Sequence, residues 1–235
     1  MDVTLNRIEL RLLERRGIYW PSKRMLLVAD PHLGKEATFR ASGLAVPRGS
    51  TDGTLKTISR MIDETGAEHL TILGDLFHAR SSLAEDIVDT FSRFLDLHSS
   101  VQVSLVKGNH DVKTGPISCA WPLRVIDPPW TVDEVTLEHF PGPPATEAQI
   151  CLAGHLHPSV RLNDAAWTGG KLPCFYFDAA RSCLVLPAIG EFTGTATVQP
   201  AGSDRVWVLA DGEVIEVPTS RFGIRTRVRR ESSGK

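Results

Sequence analysis

Three short runs, residues 25–29, 69–73 and 101–106, limit the folds open to this chain more than any other feature. Met25-Leu-Leu-Val-Ala29 is apolar throughout, and a strand of that kind needs cover on both faces. His69-Leu-Thr-Ile-Leu73 reads as a second buried strand, and Val101-Gln-Val-Ser-Leu-Val106 as a third with alternating pattern. Between the first two, Leu55, Ile58, Met61 and Ile62 fall at helical spacing, and Gly66 suits the stop. Between the second and third, Ile87, Val88, Phe91, Phe94 and Leu95 form the stripe of an amphipathic helix over residues 83–97. Strand, turn and helix in repeated order predict a mostly parallel, right-handed α/β sheet.

The flanking regions read differently. Residues 3–20 alternate Ile8, Leu10 and Leu12 with Glu9 and Arg11, which predicts one or two edge strands, with Arg15-Arg16-Gly17 as a hairpin turn. After Pro116 helical periodicity fades. Short strand-like runs at 123–126, 135–139, 150–153, 174–177, 183–186, 206–209 and 214–217 alternate with Pro and Gly turns, which predicts a second sheet packed on the first. Without a repeat or long linker, residues 1–220 read as one domain, followed by a basic tail at 221–235.

Composition excludes some classes. Hydrophobic content is 42% and charged content 23%, as in ordinary globular proteins, and the net charge of −2 gives no global pull toward nucleic acid. Cys119, Cys151, Cys174 and Cys183 lack the short paired spacing of zinc or redox motifs and read as buried thiols in a reducing compartment. No apolar run reaches membrane-spanning length, and Asp2 and Glu9 argue against a signal peptide, so the expected location is the cytoplasm.

The chemistry gathers where the strands end. The three runs lead into Asp30-Pro-His32, Gly74-Asp75-Leu-Phe-His78 and Gly108-Asn109-His110-Asp111. The second half adds His139 and Gly154-His155-Leu-His157. A turn at the carboxyl end of a strand is where α/β proteins bind ligands. Gly108 is read as the residue that lets the backbone turn sharply after its strand. Of the 8 histidines, only His69 and His98 lie away from such ends. Carboxylate, imidazole and amide oxygen without thiolate suit manganese, iron or zinc rather than a structural zinc finger. Two such ions sharing a carboxylate lower the pKa of a water and clamp a phosphoryl group, which makes phosphoryl transfer to water the natural reaction.

Asp-x-His, Gly-Asp, Gly-Asn-His-Asp, a lone His and Gly-His-x-His, in this order over residues 25–158, resemble the five motifs of the calcineurin-like binuclear metallophosphoesterases. The resemblance implies an α/β sandwich of two mixed sheets flanked by helices. It implies that Asp30, His32, Asp75 and His157 hold one metal, and that Asp75, Asn109, His139 and His155 hold the other. Asp75 would be the bridge. A hydroxide between the metals would attack phosphorus, with His110 assisting the departing oxygen and Asp111 orienting His110.

A narrower resemblance joins residues 32–40, 74–80 and 186–194 to the phosphoesterases of the ligase-associated DNA-damage response, which are manganese-dependent DNA endonucleases. It implies DNA, single-stranded in the first instance, as substrate, with repair proteins as partners. Many superfamily members carry Asp or Asn where this chain has His78. Gly-Asp-Leu-Phe-His is instead similar to repair nucleases of the superfamily, so His78 is a candidate to contact the phosphate or leaving group. The alternative is a His hydrogen-bonded behind the metals. Lys35, Arg40 and Arg80 are candidates to line a phosphate groove, or are solvent-facing cations. Trp121, Trp130 and Trp167 are read as packing residues, with stacking on unpaired bases the sharper alternative. The five arginines between Arg221 and Arg230 are a solvated tail or a contact to nucleic-acid phosphates. A nucleotide or small-ester phosphodiesterase, and a scaffold without catalysis, are the competing functions.

Overall fold

A computed structural model describes the chain except residues 42, 44, 47–48, 116–120, 162–169 and 223–235. Cys119, Trp167 and nearly all of the arginine-rich tail lie outside the described residues.

The first half runs β1 (Asp2–Leu5), β2 (Ile8–Leu12), β3 (Ile18–Trp20), β4 (Met25–Val28), α1 (Lys35–Ala41), α2 (Ser50–Thr65), β5 (His69–Leu73), α3 (Glu85–Leu97), β6 (Gln102–Val106), α4 (Asn109–Thr114) and β7 (Leu123–Ile126). These strands form one sheet in chain order, antiparallel from β1 to β4 and parallel from β4 to β7. Helix α2 ends as its pattern predicts, with Gly66 in the left-handed region at φ 62° and its N–H on the Ile62 carbonyl.

The second half contributes β8 (Trp130–Val132), β9 (Val135–Glu138), β10 (Ile150–Ala153), β11 (Pro158–Val160), β12 (Leu172–Asp178), β13 (Cys183–Val185), β14 (Ala196–Thr197), β15 (Arg205–Ala210) and β16 (Glu213–Val217). They form a mixed sheet in which β9, β10 and β13 run parallel and β8, β12, β15 and β16 pair antiparallel.

Strand alternation sorts the central residues between two cores. Leu26, Val28, Leu70, Ile72, Val103 and Leu105 face α2 and α3, meeting Leu55, Ile58, Met61, Phe91 and Phe94. Leu27, Ala29, Leu73 and Val106 face the second sheet and pack on Leu137, Leu152, Phe175, Leu184 and Trp207. The architecture is the expected α/β sandwich of two mixed sheets with flanking helices.

Two expectations need correction. The amino-terminal region makes three strands, because Asn6 and Arg7, at φ 47° and 69°, supply a second tight turn. Residues 123–126 join the first sheet, parallel to β6, instead of the second. A four-residue run carries no mark of which sheet edge it will pair with. Trp130 lies in a strand, and Trp121 stacks on Phe77 with its Nε1–H donated to Ser92 Oγ at 2.9 Å. Both rings are packing residues. Cys151, Cys174 and Cys183 are buried free thiols, as expected.

Candidate metal centre

The carboxyl ends of β4, β5 and β6 meet those of β9 and β10 at one edge of the sandwich. The turns there are tight. Asp30, His32, Asp75, His155 and His157 have φ of 54°, 45°, 54°, 68° and 47°, a region that non-glycine residues occupy at a cost of about 1–3 kcal/mol each. Hydrogen bonds hold them in it. His155 N–H donates to Asp30 Oδ2 at 2.8 Å, His32 N–H to the Asp75 carbonyl at 2.9 Å, and His110 N–H to Asp75 Oδ1 at 2.8 Å.

Each aspartate therefore has one oxygen tied to backbone and one aimed inward. Asp30 Oδ1 is buried without a hydrogen-bond partner, 3.4 Å from His157 Nε2. Asp75 Oδ2 stands 3.8 Å from His32 Nε2 and 3.5 Å from His139 Nε2, between two groups of ligands. Those groups are Asp30, His32 and His157, and Asp75, His139 and His155. His32, His78 and His110 form a third cluster beside them.

The outer hydrogen bonds set the tautomers. His139 Nδ1 lies 3.0 Å from the Leu73 carbonyl and His157 Nδ1 2.9 Å from that of Gly194, so each donates there and turns a bare Nε2 inward. His139 Nε2 then faces Asn109 Oδ1 and His155 Nδ1, both at 3.1 Å. Lone pairs converging with few protons between them make a cation site. The donors are oxygen and imidazole nitrogen without thiolate, so the residues fit divalent ions of the manganese, iron or zinc type.

The electrostatics agree. Burial, then Lys35 and the rings of His157, His110 and His78, push the His32 imidazole down to about 2. Burial, Lys35 and His110 bring His78 down to about 4. Burial and His139 lower His155. His157 is the exception, since the Asp30 carboxylate more than offsets the effect of burial and raises it. Neutral imidazoles are the form that binds metal.

Asp111 has a different place from the one its sequence suggests. It was expected to orient the His110 ring. Its carboxylate instead accepts the N–H groups of Asp75 at 2.7 Å, Leu76 at 2.9 Å and Gly108 at 2.8 Å. Burial pushes that carboxyl up to about 6, opposed by the Gly108 N–H and reinforced by the charge of Asp75. The His110 ring is set by Nδ1 on the His78 carbonyl, and it stacks on the His78 ring at 5.0 Å. His78 Nδ1 also lies 3.4 Å from His32 Nδ1, so the three rings form one cluster.

The reading of Gly108 also changes. Its φ of −99° is open to any residue, and what it supplies is space, because a Cβ there would run into the Asp75 carboxylate. Gly74 needs both properties: φ is 83° and a Cβ would stand 2.9 Å from His139 Cβ.

Of the proposed phosphate-groove residues, Lys35 faces the site. Its ammonium is lowered by burial, partly offset by Asp30 and Asp75. Arg40 lies in the last turn of α1 with Nη1 buried, and Arg80 is exposed at the start of a short turn. Among the described residues neither is joined to the cluster by a hydrogen bond or ion pair. Residues 186–194, quoted above only as a likeness, prove to brace the site. Ile189 and Gly190 N–H groups bond the Ala29 and Asp30 carbonyls at 2.9 and 3.2 Å, and Gly194 holds His157. No spacing rule marks such a prop, because it acts through backbone.

Two facing sheets whose strand ends converge carboxylates, an amide and imidazoles define a metal-dependent hydrolase of phosphate esters. The family model for calcineurin-like phosphoesterases matches residues 23–169, and the chain belongs to that family. It is similar to the crystal structure of the Pseudomonas putida nuclease MPE, at 34% identity and TM-score 0.80, over 92% of this chain and 99% of that one. A phosphoesterase from E. coli, Yfce, aligns at 14% identity and TM-score 0.37, over 85% and 99%, too distant to carry any argument. A comparison with curated proteins finds no match.

Proposed function

We propose that this phosphoesterase is a manganese-dependent endonuclease acting on DNA, single-stranded in the first instance, within DNA repair in the cytoplasm. The observation that carries the reading is Asp75 Oδ2, placed between two ligand groups in a chain that follows a nuclease over nearly its whole length. Among the described residues no helix is long and apolar enough to cross a membrane. The shared core between the sheets supports treating residues 1–220 as one unit.

In this reading Asp30, His32, Asp75 and His157 hold one divalent ion, and Asp75, Asn109, His139 and His155 the other. A bound pair supplies a lowered water pKa and neutralises charge on the phosphoryl oxygens. Lys35, inside the same electrostatic field, draws the phosphate anion toward the ligand groups. His110, its Nδ1–H held by the His78 carbonyl, turns Nε2 inward, where in its imidazolium form it gives a proton to the departing oxygen. Asp111 acts one step back by holding the Asp75 and Gly108 turns together.

The test incubates purified protein with circular single-stranded DNA and manganese, beside Asn109→Ala and His110→Ala, with an aryl phosphodiester and mononucleotides in parallel. Incision of the circle by wild type, lost in both variants, is the expected result. Intact circles with fast turnover of the small esters would transfer the assignment to a small-molecule phosphodiesterase.

A further inference from the structure

Four of the large apolar side chains exposed to solvent lie within two residues in the chain of residues at the metal centre. Phe140 follows His139, Leu156 separates His155 from His157, Val112 follows Asp111, and Phe192 stands on the loop whose Gly194 carbonyl holds His157. Phe140 differs from the others in what it touches. Its ring centroid is 4.4 Å from that of His155 and 4.9 Å from that of His139, so it leans on two ligands at once. It is nevertheless 46% exposed and belongs to none of the buried apolar clusters. The fold gains little from a phenyl ring left in that position.

We infer that Phe140 is a stacking platform for an unpaired nucleobase next to the scissile phosphate, and so a determinant of the preference for single strands. This rests on the nuclease reading above and names the part of the substrate that it leaves open. A phosphate at the ion that His139 and His155 would hold carries a sugar and base on either side, within reach of a ring that abuts both histidines. An aromatic face suits any of the four bases, so it adds affinity without selecting sequence. A base inside a duplex has both faces covered by its neighbours and cannot offer one to Phe140. Duplex DNA forfeits the contact unless it is unstacked first. Charge is matched as well: phosphate meets Lys35 and the cations that the ligand groups would hold, and the uncharged base meets the apolar ring.

The test is an abasic scan. Single-stranded oligonucleotides are prepared with one base removed at each position flanking the incised bond, and kcat/KM is measured for wild type, Phe140→Leu and Phe140→Trp. Leucine keeps apolar packing against the two histidines and removes the aromatic face; tryptophan keeps the face. For wild type, removal of one particular base should lower kcat/KM about 5- to 150-fold, the range of a base–aromatic stack. Phe140→Leu should lose that discrimination, and Phe140→Trp should keep it. Equal discrimination by wild type and Phe140→Leu would overturn the stacking role while leaving the nuclease assignment in place. Indifference of wild type to every abasic position would do the same. Failure of wild type to cut any DNA would remove both together.

Discussion

The carboxylate of Asp111 receives the backbone N–H of Asp75 at 2.7 Å, joining residues 36 apart in the chain at the focus of the site. The same carboxylate also takes the N–H groups of Leu76 and Gly108, so three buried donors depend on it. Asp111→Ala should lower stability by about 3 kcal/mol or more, because buried donors without an acceptor are costly. Urea unfolding of the metal-free variant measures this. Asp111→Asn should recover only part of the loss, since its NH₂ group faces N–H donors. Full recovery by Asn would show that the negative charge is not needed there.

Gly74 and Gly108 leave room for the residues they face. Gly74→Ala must hold φ near 83° and displace the His139 ring, and Gly108→Ala must displace Asp75. Each should cost about 1–3 kcal/mol, the usual range for overpacking. Each should also reduce manganese affinity, read by calorimetric titration. Native stability and affinity in both variants would mean that the turns can open without disturbing the ligands.

Asn109 and His110 are neighbours with different expected defects. Asn109→Ala removes an oxygen that faces His139 and should lower metal stoichiometry as well as turnover. His110→Ala should retain metal and lose about 10²- to 10⁴-fold in rate on DNA, the range for a lost general acid. The loss should shrink for aryl esters, whose leaving groups need no proton. An equal loss on both substrate types would place His110 in positioning rather than proton transfer.

Glu36 is buried, and its Oε1 accepts the Thr51 N–H at 3.2 Å in the first turn of α2. Burial raises its carboxyl, but hydrogen bonds from Ser50, from its own and the Thr51 N–H groups, and from the Thr51 hydroxyl win and leave it below 4.5. A depressed folded-state pKa gives stability that is complete above the unfolded value and lost as pH falls through the folded one. Glu36→Gln should therefore cost about 0.5–2 kcal/mol near neutrality, as lost helix caps do. The gap between variant and wild type should close in acid, as pH falls through the depressed pKa of the folded state. Thermal unfolding of both proteins down the pH scale checks it. A gap that persists in acid would assign the effect to packing.

Metal should also stabilise the fold, because the ligands lie on both sheets. Binding at 100 times Kd adds about 2.7 kcal/mol at a single site. Manganese should therefore raise the midpoint of thermal unfolding and a chelator should reverse the shift. His139→Ala should blunt the response. An unchanged midpoint would argue that the centre does not hold metal in solution.

Much of this was legible in the residues. The continuous apolar run of 25–29, ending directly in Asp30-Pro31, reads as a strand covered on both faces, and the stripes of α2 and α3 supply one cover. Polar residues directly after such strands, repeated at Asp30, Asp75 and Asn109, mark a shared site because parallel strands deliver their ends to the same edge. These are local signals, set by side-chain period and by chemistry that a spacing can display. Tertiary structure alone decided where β7 pairs, since backbone hydrogen bonding does not specify its partner. It alone decided that Asp111 serves Asp75, Leu76 and Gly108 rather than His110, because backbone N–H groups occur at every position and leave no mark in a sequence. The same holds for the Leu73 and Gly194 carbonyls that set the tautomers of His139 and His157, and for the phenyl ring of Phe140 beside His155. Such pairings come from distant segments meeting in three dimensions, and only the packed sandwich brings them within reach.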